Sequence, residues 1–319
     1  MRAAQYENVI IVTRNTELDD LVTRYNTKAQ AKFYLQRTGY AFEPVEAAHA
    51  QYQSVLCAVR QAIPRSVKSQ VIERNMVPRF TFGPDDLVVT VGQDGLVSNT
   101  AKYLCGQPIF AVNPDPMRFD GVLLPFHAGD FAESLHGTLQ GPVHAKAVTL
   151  AEAQSSSGQS LLAFNDFFVG ASSHVSARYR IEVDGHAEEQ SSSGVIVSTG
   201  AGSSGWLQSV YAGAAGVIEA LGGRVVPPPN GGRLGWDTEQ LLYSVREPFP
   251  SISTQTSLVH GAFTAAAPLK LTSHMAANGV IFSDGIETDY LEFNAGTELV
   301  LTTAAAKACL VVPAHENVH

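Results

Sequence analysis

Two short stretches hold the residue types that could do chemistry. Residues 191–210 read SSSGVIVSTGAGSSGWLQSV, and residues 199–205 hold three glycines, two serines and a threonine. Glycines let backbone N–H groups approach a ligand closely. At the start of a helix such N–H groups and small hydroxyls favour an anion. The chemistry suggested is therefore binding of a phosphate or a nucleotide ribose. A tight turn with no ligand is the plain alternative. Gly200, Gly202 and Gly205 also satisfy the G-x-G-x-x-G spacing. An ordinary dinucleotide fingerprint wants an acidic residue ending the next strand. Here Glu219 lies inside a helical pattern, followed by Gly222, Gly223 and a triple proline. The second stretch is Gly92-Gln93-Asp94-Gly95. It sets a carboxylate between glycines, which is either a ligand-facing turn or a plain one.

The elements that must position these residues can be read from periodicity. Gly194 to Val197 is a β-branched strand, and from Trp206 onward Val210, Ala214 and Val217 recur at helical spacing. Residues 8–13, 86–91 and 108–112 are apolar, β-branched runs of buried-strand type. Between them the spacing predicts a surface helix over 15–35, a second helix over 51–63, and a helix from about Val97 through Leu104. Strand–helix–strand alternation is the mark of a parallel α/β sheet, in which ligands sit at the carboxyl ends of strands. The turns at Asp94 and Asn113 are such ends. Arg60, Arg65, Lys68, Arg74 and Arg79 form a basic cluster, read either as a solvated helix face or as recognition of phosphate. From about Leu123 short strands take over, at 145–150, 161–169, 177–183 before the hairpin signal Asp184-Gly185, 240–245, 269–272, 279–282, 298–302 and 309–312.

Composition narrows the function class. The 319 residues carry 45% apolar and 16% charged side chains, enough for a substantial core. A net charge of −9 argues against nucleic acid as a partner. It also requires that an anionic substrate be met by local cations, backbone amides or a divalent metal. Cys57, Cys105 and Cys309 are far apart with no C-x-x-C, which fits a reducing cytoplasm and provides no metal site. No apolar run reaches membrane-spanning length, so no membrane role is expected.

Taken in order, the motifs resemble those of the NAD kinases. That family has a Gly-Gly-Asp-Gly-Thr turn after a strand, where this chain has Gly92-Gln93-Asp94-Gly95-Leu96. Its Asn-Glu pair is matched by Asn165-Asp166, and its Thr-Pro-Thr-Gly-Ser turn by residues 199–206. The mitochondrial type is closest. Its Val-Asn-Thr-Asp-Pro resembles Val112-Asn113-Pro114-Asp115-Pro116, and its Ser-Ile-Arg-Glu-Pro resembles Ser244-Val245-Arg246-Glu247-Pro248. Ser192-Ser193-Gly194 and Asp284-Gly285 have counterparts as well. The similarity runs from about Asp86 to the end. Gln93 and Leu96 depart from the family's glycine and threonine, and Asp166 is one methylene shorter than its glutamate.

The resemblance implies an α/β N-terminal domain over residues 1–124, carrying the Gly92 turn. It implies a larger β-rich nucleotide-binding domain over 125–304, with 305–319 returning to the first domain. It implies transfer of a phosphoryl group from ATP or polyphosphate, aided by Mg²⁺, to the 2′-hydroxyl of the adenosine ribose of NAD. Asp94 matches the catalytic aspartate. The amides of Gly92 and Gly95 would meet phosphate. Asn113, Asn165, Asp166, Thr199, Gly202, Ser203, Ser204 and Arg246 would hold nucleotide. Arg246 is read either as a phosphate contact or as an ion pair, and Trp206 as packing on a base or in the core. A homodimer or higher homo-oligomer in the cytoplasm is expected. A lipid or sugar kinase of the same superfamily, or a nucleotide-binding sensor without catalysis, are the other readings.

Overall fold

A computed structural model describes residues 6–313 of the chain. The chain divides into two compact units: residues up to Lys146 joined by those from Cys309 onward, and Ala147–Ala308. Residues 314–319 of the expected returning tail lie outside the described residues.

The first unit is built from β1 (Asn8–Thr13), α1 (Glu17–Tyr25), α2 (Lys28–Arg37), α3 (Glu43–Ala62), β2 (Lys68–Glu73), β3 (Asp86–Val91), α4 (Asp94–Ala101), β4 (Pro108–Val112) and α5 (Ala128–Gln140). Its strands pair in the parallel order β2-β1-β3-β4. β3 and β4 are buried throughout, as central parallel strands are. One face of the sheet, with Val9, Ile11, Leu87, Val89 and Phe110, packs against Tyr52, Val55 and Val59 of α3 and Phe131 and Leu135 of α5. Each such large apolar side chain contributes about 1.5–3 kcal/mol on burial. The parallel order puts the ends of β1, β3 and β4 on one edge, where the Gly92 and Asn113 turns begin.

The second unit takes in β5 (Ala145–Ser155), β6 (Ser160–Ala163), β7 (Asp166–Ala171), β8 (Ala177–Val183), β9 (His186–Ser192), β10 (Val195–Ser198), α6 (Trp206–Ala220), β11 (Gln240–Val245), β12 (His260–Thr264), β13 (Leu269–Ser273), β14 (Gly279–Ser283), β15 (Tyr290–Glu292) and β16 (Glu298–Val311). One sheet runs β12-β11-β10-β7-β14-β15, entirely antiparallel. The other runs β16-β13-β8-β9, with β5 and β6 joined through β16. Inward residues of both sheets, among them Phe167, Val169, Tyr179, Ile181, Val197, Tyr243 and Leu271, form one core. The alternation of buried and exposed positions along β8 is the period-2 pattern that fixes its register. The end of β16 belongs to the first unit, where Cys309 and Leu310 pair in parallel with Pro108 and Ile109.

Several elements differ from the pattern read in the sequence. The helix expected over 15–35 is two helices, because Asn26 adopts a left-handed backbone and Thr27 caps α2. The basic stretch expected to be helical is the edge strand β2 followed by a 3-10 turn over Arg74–Arg79. Its solvated character is that of a sheet edge. The strand expected over 161–169 is broken at Phe164-Asn165 into β6 and β7. The strands expected at 298–302 and 309–312 are one continuous β16. Helix α5, in a region expected to hold only strands, packs Phe131 and Leu135 into the first unit's core, beyond residue 124. Helix α6 forms as its spacing predicts, but Ala214 and Val217 of its apolar face are exposed and only Leu207 is buried.

Candidate functional site

The residues singled out above fall into two groups, one within each unit. In the first unit, β3 ends at Val91 and the Gly92 N–H donates to Val112 O at 3.3 Å. A Cβ on Gly92 would come within 2.8 Å of Leu96 Cδ2, so a larger residue would have to move the Leu96 side chain where the chain turns into α4. Gln93 is the N-cap residue, but its side chain does not cap the helix. The first-turn amides of α4, around Asp94 and Gly95, therefore keep the unpaired donors of a helix N-terminus. Asp94 Oδ1 accepts from the Leu123 N–H at 2.6 Å, which orients a half-buried carboxylate and leaves Oδ2 open. Gly95 is exposed, and a Cβ there would meet nothing within 4 Å.

Asn113 sits at the end of β4 with its amide used for loop structure. Its Nδ2 donates to Phe119 O at 3.1 Å and its Oδ1 accepts from Asp115 N at 3.0 Å. One N–H is left for any other partner.

Sequence reasoning missed Arg14, the residue after β1. Its Nη1 donates to Gln93 Oε1 at 2.5 Å and its Nε to Asn15 O at 3.2 Å. Tyr52 Oη accepts from Arg14 N at 3.2 Å and donates to Val91 O at 3.0 Å, tying the ends of β1 and β3 together. A cavity of about 240 Å³ opens beside this turn. The signal was available: a cation at the carboxyl end of a central parallel strand, where ligands collect.

In the second unit the Asn165–Asp166 pair lies at the break between β6 and β7. Two features hold the break open. Both carboxylate oxygens of Asp284 accept backbone N–H groups, from Phe164 at 3.0 Å and Asn165 at 2.6 Å. Thr199 Oγ1 donates to Phe164 O at 2.6 Å, and Thr199 N to Asn165 O at 2.9 Å. Asp284 and Gly285 have φ of 52° and 71°, which makes the turn that aims the Asp284 carboxylate back at the break. With the backbone so committed, the side chains of Asn165 and Asp166 are free. Neither has a side-chain hydrogen-bond partner among the described residues. Asp166 is only 9% exposed. Burial, reinforced by the charge of Asp284, pushes its carboxyl up to about 7. An acceptor so poorly solvated gains from a ligand donor.

The glycine-rich turn is shaped by close backbone approach. A Cβ on Gly202 would lie 2.0 Å from Asn165 O, and one on Gly200 would lie 1.9 Å from Gly235 O. Ser203 is buried with its hydroxyl spent inside the fold, donating to Gly200 O at 2.6 Å and accepting from Leu234 N at 2.9 Å. Thr199 is likewise buried, its hydroxyl accepting from Gly202 N at 3.1 Å. Ser204 is exposed and donates to Ala201 O at 3.2 Å.

Arg246 forms the ion pair foreseen for it and also a contact with Trp206. Its Nη2 lies 3.7 Å from Glu247 Oε2, and its guanidinium sits 5.7 Å from the centre of the Trp206 ring. Trp206 stacks on Phe168 with centroids 6.1 Å apart and planes 16° from parallel. It is half-buried, so it is neither a core residue nor fully open. These rings, with Ser193 and Asn278, line a cavity of about 680 Å³ within the second unit.

The chain thus has a glycine-turn carboxylate at a parallel-sheet edge and, in a β-rich unit, a free Asn-Asp pair beside a glycine-rich turn. This architecture is also that of solved NAD and NADH kinases. Over 98% of its length the chain resembles the crystal structure of yeast NADH kinase complexed with NADH, with a TM-score of 0.61, 14% identity and 85% of that chain covered. It resembles an NAD kinase from Archaeoglobus fulgidus in complex with ATP over 95% of its length, with a TM-score of 0.54, 16% identity and 93% of that chain covered. No protein-family model matches the chain. In sequence it is 25% identical to the mitochondrial NAD kinase 2 of Rattus norvegicus, across 81% of this chain and 75% of that protein. It is 25% identical to the mitochondrial NAD kinase 2 of Homo sapiens, across 81% of this chain and 72% of that protein. In sequence the chain is thus similar to NAD kinases over four-fifths of its length, and in fold over nearly all of it.

Proposed function

We propose that this protein is an NAD kinase that moves the terminal phosphoryl group of ATP, or of polyphosphate, to the 2′-hydroxyl of the adenosine ribose of NAD, giving NADP. The observation that carries the reading is the Asn165–Asp166 pair. It is clamped by Asp284 and Thr199 with its own polar groups left for a ligand. Acceptors without side-chain partners, one on a buried residue, suit the hydroxyls and amino group of a nucleoside. In the reaction a bond forms between the ribose oxygen and the terminal phosphorus, and the bond from that phosphorus to the bridging oxygen of the donor breaks. Asp94 orients the hydroxyl and takes its proton as the new bond forms. The helix-start amides at Asp94 and Gly95 meet developing phosphate charge, while the Gly92 N–H is taken by Val112 O. Arg246 and Trp206 meet the dinucleotide in the larger cavity, while Gly202, Thr199 and Ser203 act through the backbone shape they impose.

Mg²⁺ belongs to this proposal only as a companion of the phosphates. Among the described residues no three His, Cys, Asp or Glu side chains gather where they could hold a metal ion. Assembly into a homo-oligomer is supported by the open apolar positions Val217, Ile218 and Leu221, at 61%, 42% and 83% exposure. Residence in the cytoplasm is supported by three free cysteines. Among the described residues no helix is long and apolar enough to cross a membrane.

The test is an end-point assay of purified protein with NAD, ATP and Mg²⁺, reading NADP through an NADP-specific dehydrogenase. Wild type forms NADP. Asp94→Asn loses about 10²–10⁴ in turnover, the usual worth of a positioned base, while NAD still raises its melting temperature. No NADP from the wild type overturns the reading.

A further inference from the structure

The contact between Arg14 and Gln93 is unexplained by the proposed function and departs from the family pattern, in which the second turn position is a glycine. Gln93 Oε1 and Asn15 O take two of the five guanidinium donors of Arg14. The other three have no partner, and no carboxylate pairs with Arg14 among the described residues. The choice of glutamine matters. A neutral amide oxygen holds the guanidinium in place without cancelling its charge, whereas a carboxylate would neutralise it. Arg118 lines the same cavity, with Nη2 on Pro44 O at 3.1 Å and Nε 3.5 Å from Asp115 Oδ2. Glu17 and Asp115 lie on its wall as well. Arg74 also feels the unpaired charge: burial, and then Arg14, push its pKa down. At about 240 Å³ the space is smaller than the pockets that hold whole drug-sized ligands. It suits part of a donor, and the two guanidinium groups on its wall select an oligophosphate chain.

We propose that Arg14 and Arg118 bind the phosphate chain of an oligophosphate donor in this cavity, with Gln93 as the positioning residue that holds the Arg14 guanidinium against the Gly92 turn. The role as a donor subsite rests on the kinase reading; the anion binding itself does not. A nucleoside triphosphate and inorganic polyphosphate share this chemistry.

The experiment is calorimetric titration of the full chain with inorganic tripolyphosphate, for wild type, Arg14→Gln and Gln93→Glu, beside steady-state kinetics with ATP or polyphosphate as donor. Wild type binds tripolyphosphate, and each variant weakens that binding at least about tenfold, the value of losing one charge-assisted contact. KM for the donor rises by a similar factor while KM for NAD stays within twofold, a split that a general structural defect would not produce. If KM rises for both donors the subsite reads the phosphate chain; if it rises for ATP alone, the source is the nucleotide. Tripolyphosphate binding absent from wild type, or equal in wild type and variants, overturns the inference. Should Arg14→Gln not fold, Gln93→Glu decides alone, since it changes one atom group and adds an ion pair. Arg14-dependent tripolyphosphate binding by a protein that makes no NADP would sink the kinase reading and leave this site standing.

Discussion

Replacing Asp166 with asparagine tests the electrostatics of the candidate site most directly. The side chain keeps its shape and loses its ability to ionise. In the folded protein burial and the neighbouring Asp284 hold the Asp166 carboxyl up at about 7, against 3.8 for a free side chain. Between those values the folded state keeps a proton that the unfolded state has released. Wild-type stability therefore falls as pH rises from about 4 to about 7, and levels off above that. A shift of this size corresponds to about 4 kcal/mol. The substituted amide cannot ionise, so the stability of Asp166→Asn relative to wild type should climb by that amount over the same window. For a domain of this size that is on the order of 10 °C in the relative melting temperature. The assay is thermal and urea unfolding of both proteins from pH 4.5 to 8.5. A difference that stays flat across the window would show that Asp166 is not a strained carboxylate, and the argument for a ligand-seeking acceptor would go with it. In wild type the affinity for NAD should rise through the same window, because the charged form is the stronger acceptor.

Three further outcomes separate fold from function. Gly202→Ala should destabilise the protein by about 3 kcal/mol, because its Cβ would lie 2.0 Å from Asn165 O in a turn with no room to yield, and unfolding in urea reads this. Gly95→Ala should leave stability equal or raised by up to about 1 kcal/mol, since its Cβ enters open space on a helix; any loss of turnover in that variant is then a binding effect. Asp284→Ala removes the acceptor of two backbone N–H groups, at Phe164 and Asn165, and should cost about 3 kcal/mol together with NAD affinity. Retained NAD affinity in a folded Asp284→Ala protein would show that the clamp does not shape the site.

How much of this was legible in the chain depends on whether the signal was local. β1, β3, β4, β8 and β11 sit at the boundaries their residues indicate, because a strand buried on both faces is a continuous apolar run and a hairpin such as Asp184-Gly185 carries its own turn chemistry. The Gly92 and Gly200–Gly202 turns were legible for the same reason: their glycines answer to backbone conformation and close approach over a few residues. The edge strand β2 was hidden because its exposed side chains match a solvated helix face, and only pairing with β1 makes it a strand. The break between β6 and β7 depends on Asp284, more than a hundred residues away in sequence, accepting two N–H groups. Tertiary structure also decided which polar residues remain available. Ser203 and Thr199 look like ligand hydroxyls in sequence, but the fold turns both inward to satisfy buried backbone groups. Asn165 and Asp166 are left unpaired by the same clamp, and Arg14 is held at Gln93 by a contact across 79 positions. Residue type and spacing determine what chemistry a segment can offer. Which donors and acceptors stay unspent is settled only when distant backbone groups have taken their share.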